Sequence, residues 1–525
     1  MGIYYNPGNQ NFVETCNMEN YIDKSLMIEE LEYISTNINK YICISRPRRF
    51  GKTIAQNMIA AFYSKGCDSR EIFSNLMIGS NEKCMSNLNK YNVIHLDMNS
   101  EYQNTINKNE LIKSISDKVK EEIIIDIPEV EILESDSLAS TILKVYAAKK
   151  EQFIILIDEY DVLVRENVPQ ELFNEYLGFL NGLFKSNTLK PAIKLAYITG
   201  ILPVVRDKVQ SKLNNFDEYT FLDSDRLAKF VGFTNDEVQM LCKNYDLDFE
   251  ECKRWYDGYN INGVDIYNPE SVIKAVQKKR LDCFWGRTSS YAAISDRLNS
   301  QKDERIVSDV TKLLAGESID VNVTRFMNTM DSFNTPSDLY TYLIHLGYLA
   351  YDLETGTCRI PNKEVRQEWF NAIEVVNDYS VTDEIIKESK TLLQATIDGN
   401  EDFVAKALDI SHIHVTSNRS YNNEDALASA IYLAYIYALN KYSVFKEVTA
   451  GKGFADVIFV PFEENYPAMV IELKKDKSSE SAIRQIKDKQ YFDVLSHYSG
   501  NLIFVGINYS EESKTHSCSI ERFVK

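Results

Sequence analysis

The sequence predicts an α/β protein in three regions: a parallel sheet covered by helices, a mostly helical middle, and a smaller C-terminal α/β region. Three observations lead there. Strand and helix patterns alternate up to about residue 230, the pattern of βαβ units whose sheet is covered on both faces. Strand signal then fades and helical spacing takes over. Short apolar strands return near the C-terminal end. A chain of 525 residues is too long for a single core, and the expected divisions are 1–230, 231–395 and 396–525.

The elements follow in order. Ser25 to Asn37 carries Leu26, Leu31 and Ile34 at helical spacing, continued by Ile38. Tyr41-Ile-Cys-Ile-Ser45 is an apolar strand running into a loop rich in arginine, and Ile54 to Tyr63 resumes helical character. Asn92 to Asp97 is a second strand and Leu111 to Ile124 a helix; Phe153 to Ile157 and Ile193 to Thr199 are further strands. Helices are expected over Glu237 to Tyr245, Pro269 to Lys278, Arg305 to Leu314 and Ser337 to Leu346, with small β pieces near Tyr348 to Leu353. Thr382 to Leu408 is helical with a turn at Asp398-Gly-Asn. Phe445 to Val448, Phe454 to Val460, Ala468 to Leu473 and Asn501 to Ile507 form the closing set of strands.

Composition narrows the class. Hydrophobic residues at 44% and charged residues at 26% are those of a folded, soluble protein rather than a disordered or fibrous one. A net charge of −19 argues against a surface coated for nucleic acid, though not against a local basic groove. The nine cysteines form no CxxC pair or zinc-spaced cluster, which points to reduced thiols in a cytoplasm. The first residues lack the layout of a signal peptide. Ala426 to Leu439 is uncharged but too short to span a bilayer, and reads as a buried helix.

The arginine-rich loop ends in Gly51-Lys52-Thr53, between a strand and a helix. That layout turns backbone N–H groups inward, extends a lysine to terminal phosphates and offers a hydroxyl to magnesium. Arg48, Arg49, Phe50, Gly51, Lys52 and Thr53 are therefore the candidate cradle, with Arg46 standing where such loops usually begin on glycine. Phe153 to Ile157 delivers Asp158 and Glu159 to a strand end, where open α/β sheets bind their ligands. Asp158 would orient Mg²⁺ together with Thr53, and Glu159 would polarise the attacking water. Thr199 reads either as a polar sensor of the γ-phosphate or as a strand-end cap. Arg46, Arg48, Arg49, Arg206 and Arg226 all stand as candidates for neutralising transition-state charge. ATP and Mg²⁺ are the implied cofactors.

Near the C-terminal end, Ala455 to Pro461 and Ala468 to Lys475 flank the polar turn Phe462 to Pro467. Paired as a hairpin, they place Asp456 roughly opposite Leu473, with Glu472 and Lys474 on one face. Two carboxylates beside an ammonium suit Mg²⁺ or Mn²⁺ and a phosphoryl transition state. Lys474 would also orient or deprotonate water. Glu424 is a further candidate acid. Lys474, Lys475, Lys477, Arg484, Lys487 and Lys489 suit either a phosphate-facing edge or a solvated face.

Ser45-Arg-Pro-Arg-Arg-Phe-Gly-Lys-Thr53, Leu156-Ile-Asp-Glu-Tyr-Asp161 and Trp255-Tyr-Asp-Gly-Tyr259 with Ile266-Tyr-Asn-Pro269 resemble the AAA-like ATPases of bacteria and archaea, which commonly carry a C-terminal PD-(D/E)xK nuclease-like domain. The resemblance covers essentially the whole chain. It implies a P-loop NTPase sheet followed at the end by a restriction-endonuclease-like fold. Gly451-Lys-Gly-Phe-Ala-Asp456 and Ile471-Glu-Leu-Lys474 match that superfamily's layout, Gln485 resembles its helix glutamine, and Tyr491 follows in a similar position. The implied catalytic set is Asp456, Glu472, Lys474 and Gln485, with Asp456 and Glu472 as metal ligands. The expected function is ATP binding and hydrolysis regulating metal-dependent cleavage of nucleic acid, DNA or RNA, without membrane association. The resemblance leaves open a homo-oligomer. The alternative is an ATP-driven signalling or binding switch whose nuclease fold is non-catalytic.

Overall fold

A computed structural model describes residues 2–166, 168–203, 213–285, 304–314, 316–325, 335–375, 380–415, 431, 434–450, 453–461, 466–490, 495 and 501–523. It divides into two compact units, Met1–Ser290 with Ser318–Arg366 and Tyr291–Glu317 with Gln367–Lys525. Arg206, Glu424, Tyr491 and most of the apolar run from Ala426 lie outside the described residues. Within that run Ile431, Ala434, Ile436 and Ala438 are buried.

In the first unit, β1 (Tyr41–Ser45), β2 (Asn92–Asp97), β3 (Phe153–Asp158), β4 (Ile193–Gly200) and β5 (Asp217–Tyr219) form one sheet in the order β2-β3-β4-β1-β5. Every pairing is parallel. All residues of β1 and β3 are buried, which is why both read as unbroken apolar runs instead of alternating ones. The helices Leu111–Asp126, Leu138–Lys149 and Gln170–Phe184 pack Ile115, Val119, Ile142, Val145 and Leu180 into the sheet's main core. The helix Lys52–Tyr63 lies on β2 and β3.

The same unit continues past the parallel sheet. β6 (Phe233–Thr234), β7 (Tyr259–Ile261) and β8 (Val264–Tyr267) form a small antiparallel sheet. It is backed by the helices Asn235–Tyr245, Phe249–Tyr256 and Pro269–Lys278, whose core includes Val238, Leu241, Tyr256 and Val272. Three more short strands, β9 (Ile319–Asp320), β10 (Ala350–Asp352) and β11 (Thr357–Arg359), pair in the order β10-β11-β9. β10 lies in the stretch Tyr348 to Leu353 where a small β piece is expected; the other short strands are too brief to produce a readable alternation, so the middle region carries more sheet than its sequence suggests.

The Trp255-Tyr-Asp-Gly-Tyr259 segment joins this region to the phosphate loop. Gly258 sits at φ +116°, and a Cβ there would lie 2.2 Å from the Pro361 carbonyl oxygen, so only glycine fits the turn. The turn drives Tyr259 inward. Its ring centroid lies 5.8 Å from that of Phe50 and 5.0 Å from that of Phe221, and its hydroxyl donates to the Gly347 carbonyl at 2.6 Å. Trp255 stays half-buried under the Lys363 ammonium, and Tyr256 donates to the Asp282 carbonyl. The segment is packing, and part of what it packs is the loop residue Phe50.

The second unit is built on β12 (Tyr442–Ala450), β13 (Gly453–Pro461), β14 (Ala468–Lys475), β15 (Leu502–Ser510) and β16 (Thr515–Phe523), in that spatial order. Only β14 and β15 are parallel, and the helix Ser479–Lys489 crosses between them. Its residues Ile483 and Ile486 pack with Phe504 and Val470. Helices Ser380–Asp398 and Glu401–Val415 supply Leu392, Leu393, Val404 and Leu408 to a core shared with Val457, Ile471 and Val505.

The aromatic cluster yields a stability test. Tyr259→Leu removes a buried ring and is expected to cost roughly 2–3 kcal/mol. Tyr259→Phe loses only the hydrogen bond, at about 1 kcal/mol. Denaturant midpoints of the two variants check the order.

Candidate active sites

The phosphate loop begins where β1 leaves the sheet. Gly51 adopts φ +90° at the N-cap of the helix Lys52–Tyr63, and Arg49 adopts φ +70°. These left-handed residues coil the loop over the helix N-terminus. A Cβ on Gly51 would meet no atom within 4 Å, so the demand for glycine is conformational. Arg46 needs no left-handed geometry, which removes the reason for glycine there. Its side chain is fully buried and turns into the fold, donating to the carbonyls of Ser45 at 3.0 Å and Thr220 at 2.9 Å. Arg46 therefore braces the chain after β5 and is no phosphate ligand.

Lys52 is buried, and its ammonium donates to the Arg46 and Pro47 carbonyls at 3.0 and 2.9 Å. Burial pulls its pKa down to about 8, against the opposing pull of Asp158, Glu159 and Asp161. Asp158 brings the predicted residues together. Its Oδ2 accepts from the Thr53 hydroxyl at 2.6 Å, while its Oδ1 accepts from the Thr199 hydroxyl and the Glu159 amide. Thr199 is itself held by Gln56, which donates to its hydroxyl at 2.9 Å and to the Ile157 carbonyl at 3.0 Å. Thr53 and Asp158 offer only oxygen atoms, a donor set that suits Mg²⁺.

Glu159 follows at φ +48°, its carboxylate partly exposed and paired with the Arg165 guanidinium at 2.7 Å. Among the arginine candidates, Arg48 and Arg49 are exposed on the loop. Arg226 is committed elsewhere, pairing with Glu30 at 2.7 Å and stacking on Tyr33. Phe50 is buried against Phe221 and Tyr259, so only its backbone faces a ligand at the loop.

Sequence reading missed Gln56, Asp161 and Arg165. Gln56 had a signal, as a polar side chain on the buried face of its helix. Asp161 and Arg165 are four residues apart on one helical turn, a spacing shared by countless surface ion pairs.

In the second unit the hairpin register differs from expectation. Val457 pairs with Ile471 and Ile458 with Val470, so the ladder carries Asp456 to a place beside Glu472, one residue short of Leu473. The shift matters because opposed residues share a face. Asp456 Oδ2 accepts from the Leu473 amide at 2.7 Å. Glu472 Oε1 accepts from Lys474 at 2.7 Å and also from Gln485, which reaches down from the crossing helix. Asp456, Glu472, Lys474 and Gln485 thus form one cluster. Glu472 is 1% exposed, and its Oε2 has no hydrogen-bond partner. Such an oxygen beside a second carboxylate fits a divalent cation. Of the basic cluster, Lys475 is paired with Glu511 and Lys487 with Glu521, while Arg484 and Lys489 are exposed.

Burial, reinforced by the charge of Asp456, pushes Glu472 up to about 7, against the attraction of Lys474. Burial outweighs the ion pair with Lys474, so the folded pKa is raised where pairing alone would depress it. Below its ordinary 4.5 the group is protonated in both folded and unfolded states. From there to about 7 only the fold keeps the proton, so stability falls as pH rises. The loss, on the order of 3 kcal/mol, is complete above that window. Denaturation midpoints of the metal-free protein between pH 4.5 and 7 are expected to show this component of the slope, and Glu472→Gln to lack it.

A five-stranded parallel sheet with an anion-cradling loop at one strand end and paired acids at another defines a P-loop nucleotide-binding fold. Residues 7–210 match the family model of the predicted AAA-ATPases, and residues 422–518 match that of the PD-(D/E)XK nuclease superfamily. The chain joins one segment of each kind. It is 24% identical over 391 residues to the "Uncharacterized protein in vnfD 5'region" of Azotobacter chroococcum mcd 1, across 70% of this chain and 72% of that protein. Among solved structures, the Walker-type ATPase PABY2304 of Pyrococcus abyssi is 14% identical with a TM-score of 0.36, covering 66% of this chain and 94% of that one. The Aeropyrum pernix ORC2 protein is 11% identical with a TM-score of 0.30, covering 68% and 96%. Likenesses this low do not bear on function. Among the described residues, no helix is long and apolar enough to cross a membrane.

Proposed function

We propose that the chain binds and hydrolyses ATP in its first unit, and that nucleotide state governs metal-dependent cleavage of nucleic acid by its second. The observation that carries the ATPase reading is the 2.6 Å contact of Thr53 with Asp158, which brings the phosphate loop and the acid-bearing strand to one point. The loop amides and Lys52 bind the β- and γ-phosphates. Thr53 and Asp158 would hold Mg²⁺, which would supply neutralisation of the phosphate charge. Thr199 fixes the orientation of Asp158. Glu159 accepts a proton from the attacking water.

The gathering of Asp456, Glu472, Lys474 and Gln485 supports the second activity. Asp456 and Glu472 hold Mg²⁺ or Mn²⁺, whose chemistry is to stabilise charge on the transferring phosphoryl oxygens. Lys474, held on Glu472, orients the water that attacks the phosphodiester. Gln485, from the crossing helix, donates to the same Glu472 oxygen as Lys474 and fixes the carboxylate. The nine free thiols accord with a reducing cytoplasm.

Lys52→Ala is expected to lower ATP hydrolysis by at least about a hundredfold. Unchanged hydrolysis would reject the loop assignment. Cleavage of single- and double-stranded DNA and RNA, with Mg²⁺ or Mn²⁺ and with or without ATP, tests the other half. Glu472→Ala is expected to abolish it. Identical behaviour of wild type and Glu472→Ala on every substrate would leave a nuclease fold used only for binding.

A further inference from the structure

The Arg165 guanidinium is nearly buried, at 8% side-chain exposure, and lies between two carboxylates. Its Nη2 meets Glu159 Oε2 at 2.7 Å, and its Nε lies 3.2 Å from Asp161 Oδ2. The two acids differ in kind. Asp161 is fully buried, and its Oδ2 accepts from the amides of Ile201 at 3.0 Å and Leu202 at 2.9 Å, the residues that follow β4. Glu159 is 33% exposed, on the ligand side of the sheet beside Asp158. One end of this chain of contacts is therefore anchored in the backbone beyond β4, and the other is free to meet solvent.

A glutamate side chain has three rotatable bonds, so Glu159 at a strand end has no intrinsic reason to hold one direction. Its left-handed backbone sets only where the side chain starts. Arg165 supplies the missing restraint. A nearly buried guanidinium ion-paired with a buried carboxylate has little room to move, and it restrains the carboxylate to which its Nη2 donates.

We propose that Arg165 is the positioning residue for Glu159, holding its carboxylate in line with the water that attacks ATP. The proposal rests on the ATPase reading of Asp158 and Glu159. In the step concerned, the water oxygen forms a bond to the γ-phosphorus as the bond to the β–γ bridging oxygen breaks. The leaving electron pair goes to ADP. The water proton passes to the Glu159 carboxylate and from there to phosphate. Arg165 touches none of the reacting atoms. It determines where Glu159 waits, and misplacement of such a group costs rate rather than binding.

The test uses the full chain and measures steady-state hydrolysis together with ATP binding. Arg165→Gln is expected to lower kcat roughly tenfold or more while KM and the ATP Kd stay within about twofold. In a Glu159→Gln background, adding Arg165→Gln is expected to change the residual rate by less than about twofold, because the group it positions is already gone. A merely structural role would lower both backgrounds alike. If Arg165→Gln fails to fold because Asp161 is left as an unpaired buried charge, D161N/R165Q is compared with D161N, whose amide oxygen can still accept from Ile201 and Leu202. Unchanged or faster turnover in Arg165→Gln, an additive loss in Glu159→Gln, or a Kd that moves with kcat would each overturn the proposal. A Glu159→Gln variant with wild-type turnover would instead overturn the reading on which it rests.

Discussion

One buried carboxylate, that of Asp158, sets the geometry of the first unit's candidate site. At 2% exposure it needs compensation on both oxygens, since an uncompensated buried charge is costly. The compensation comes from three places: the Thr53 hydroxyl at the start of the loop helix, the Thr199 hydroxyl near the end of β4, and the following Glu159 amide. Satisfying Asp158 therefore ties β3, β4 and the helix Lys52–Tyr63 together at their ligand-facing ends. Gln56 extends the network by bonding Thr199 and the β3 backbone at once. The oxygens that fit magnesium are thereby arranged by the fold's own hydrogen bonding.

Around that centre, the loop is braced by residues that never meet a ligand. Arg46 reaches inward to carbonyls near β5, and Phe50 packs against the touching rings of Phe221 and Tyr259. Together they pin the two ends of the segment from residue 46 to residue 50, leaving Arg48 and Arg49 outside. The Trp255-Tyr-Asp-Gly-Tyr259 segment lies some two hundred positions downstream of the loop, yet belongs to the same compact unit and supplies one wall of its support. In the second unit a comparable economy holds. Glu472 gathers Lys474 and Gln485 on one oxygen and leaves the other without a partner, on the register that Asp456 shares.

Much of this was legible in the sequence because burial on both faces writes long apolar runs. β1 and β2 fall where their patterns place them, and β3 and β4 extend the expected spans by one residue. The order strand, loop, helix and a later acid-ended strand was legible, and the structure brings Thr53 of the loop helix onto Asp158 of that strand. Of the short strands, β10 falls in the stretch Tyr348 to Leu353 where a β piece was expected, while β6 to β9 and β11 were hidden, since two to four residues cannot establish a period. The hairpin register was out of reach by one place, because an alternating pattern does not say how long the turn is. The Arg165 bridge was hidden for a different reason. Its meaning lies in Asp161 gripping the amides beyond β4, a contact across forty positions that no local motif records.

The role given to Asp158 is open to one direct measurement: calorimetric titration of ATP into the full chain, with and without Mg²⁺, for wild type and Asp158→Asn. Wild type should bind ATP, and bind it about tenfold or more tightly when Mg²⁺ is present. Asp158→Asn should keep the magnesium-independent binding and lose the gain. An Asp158→Asn protein that retains the full magnesium-dependent gain, or a wild type that binds no ATP, would contradict it.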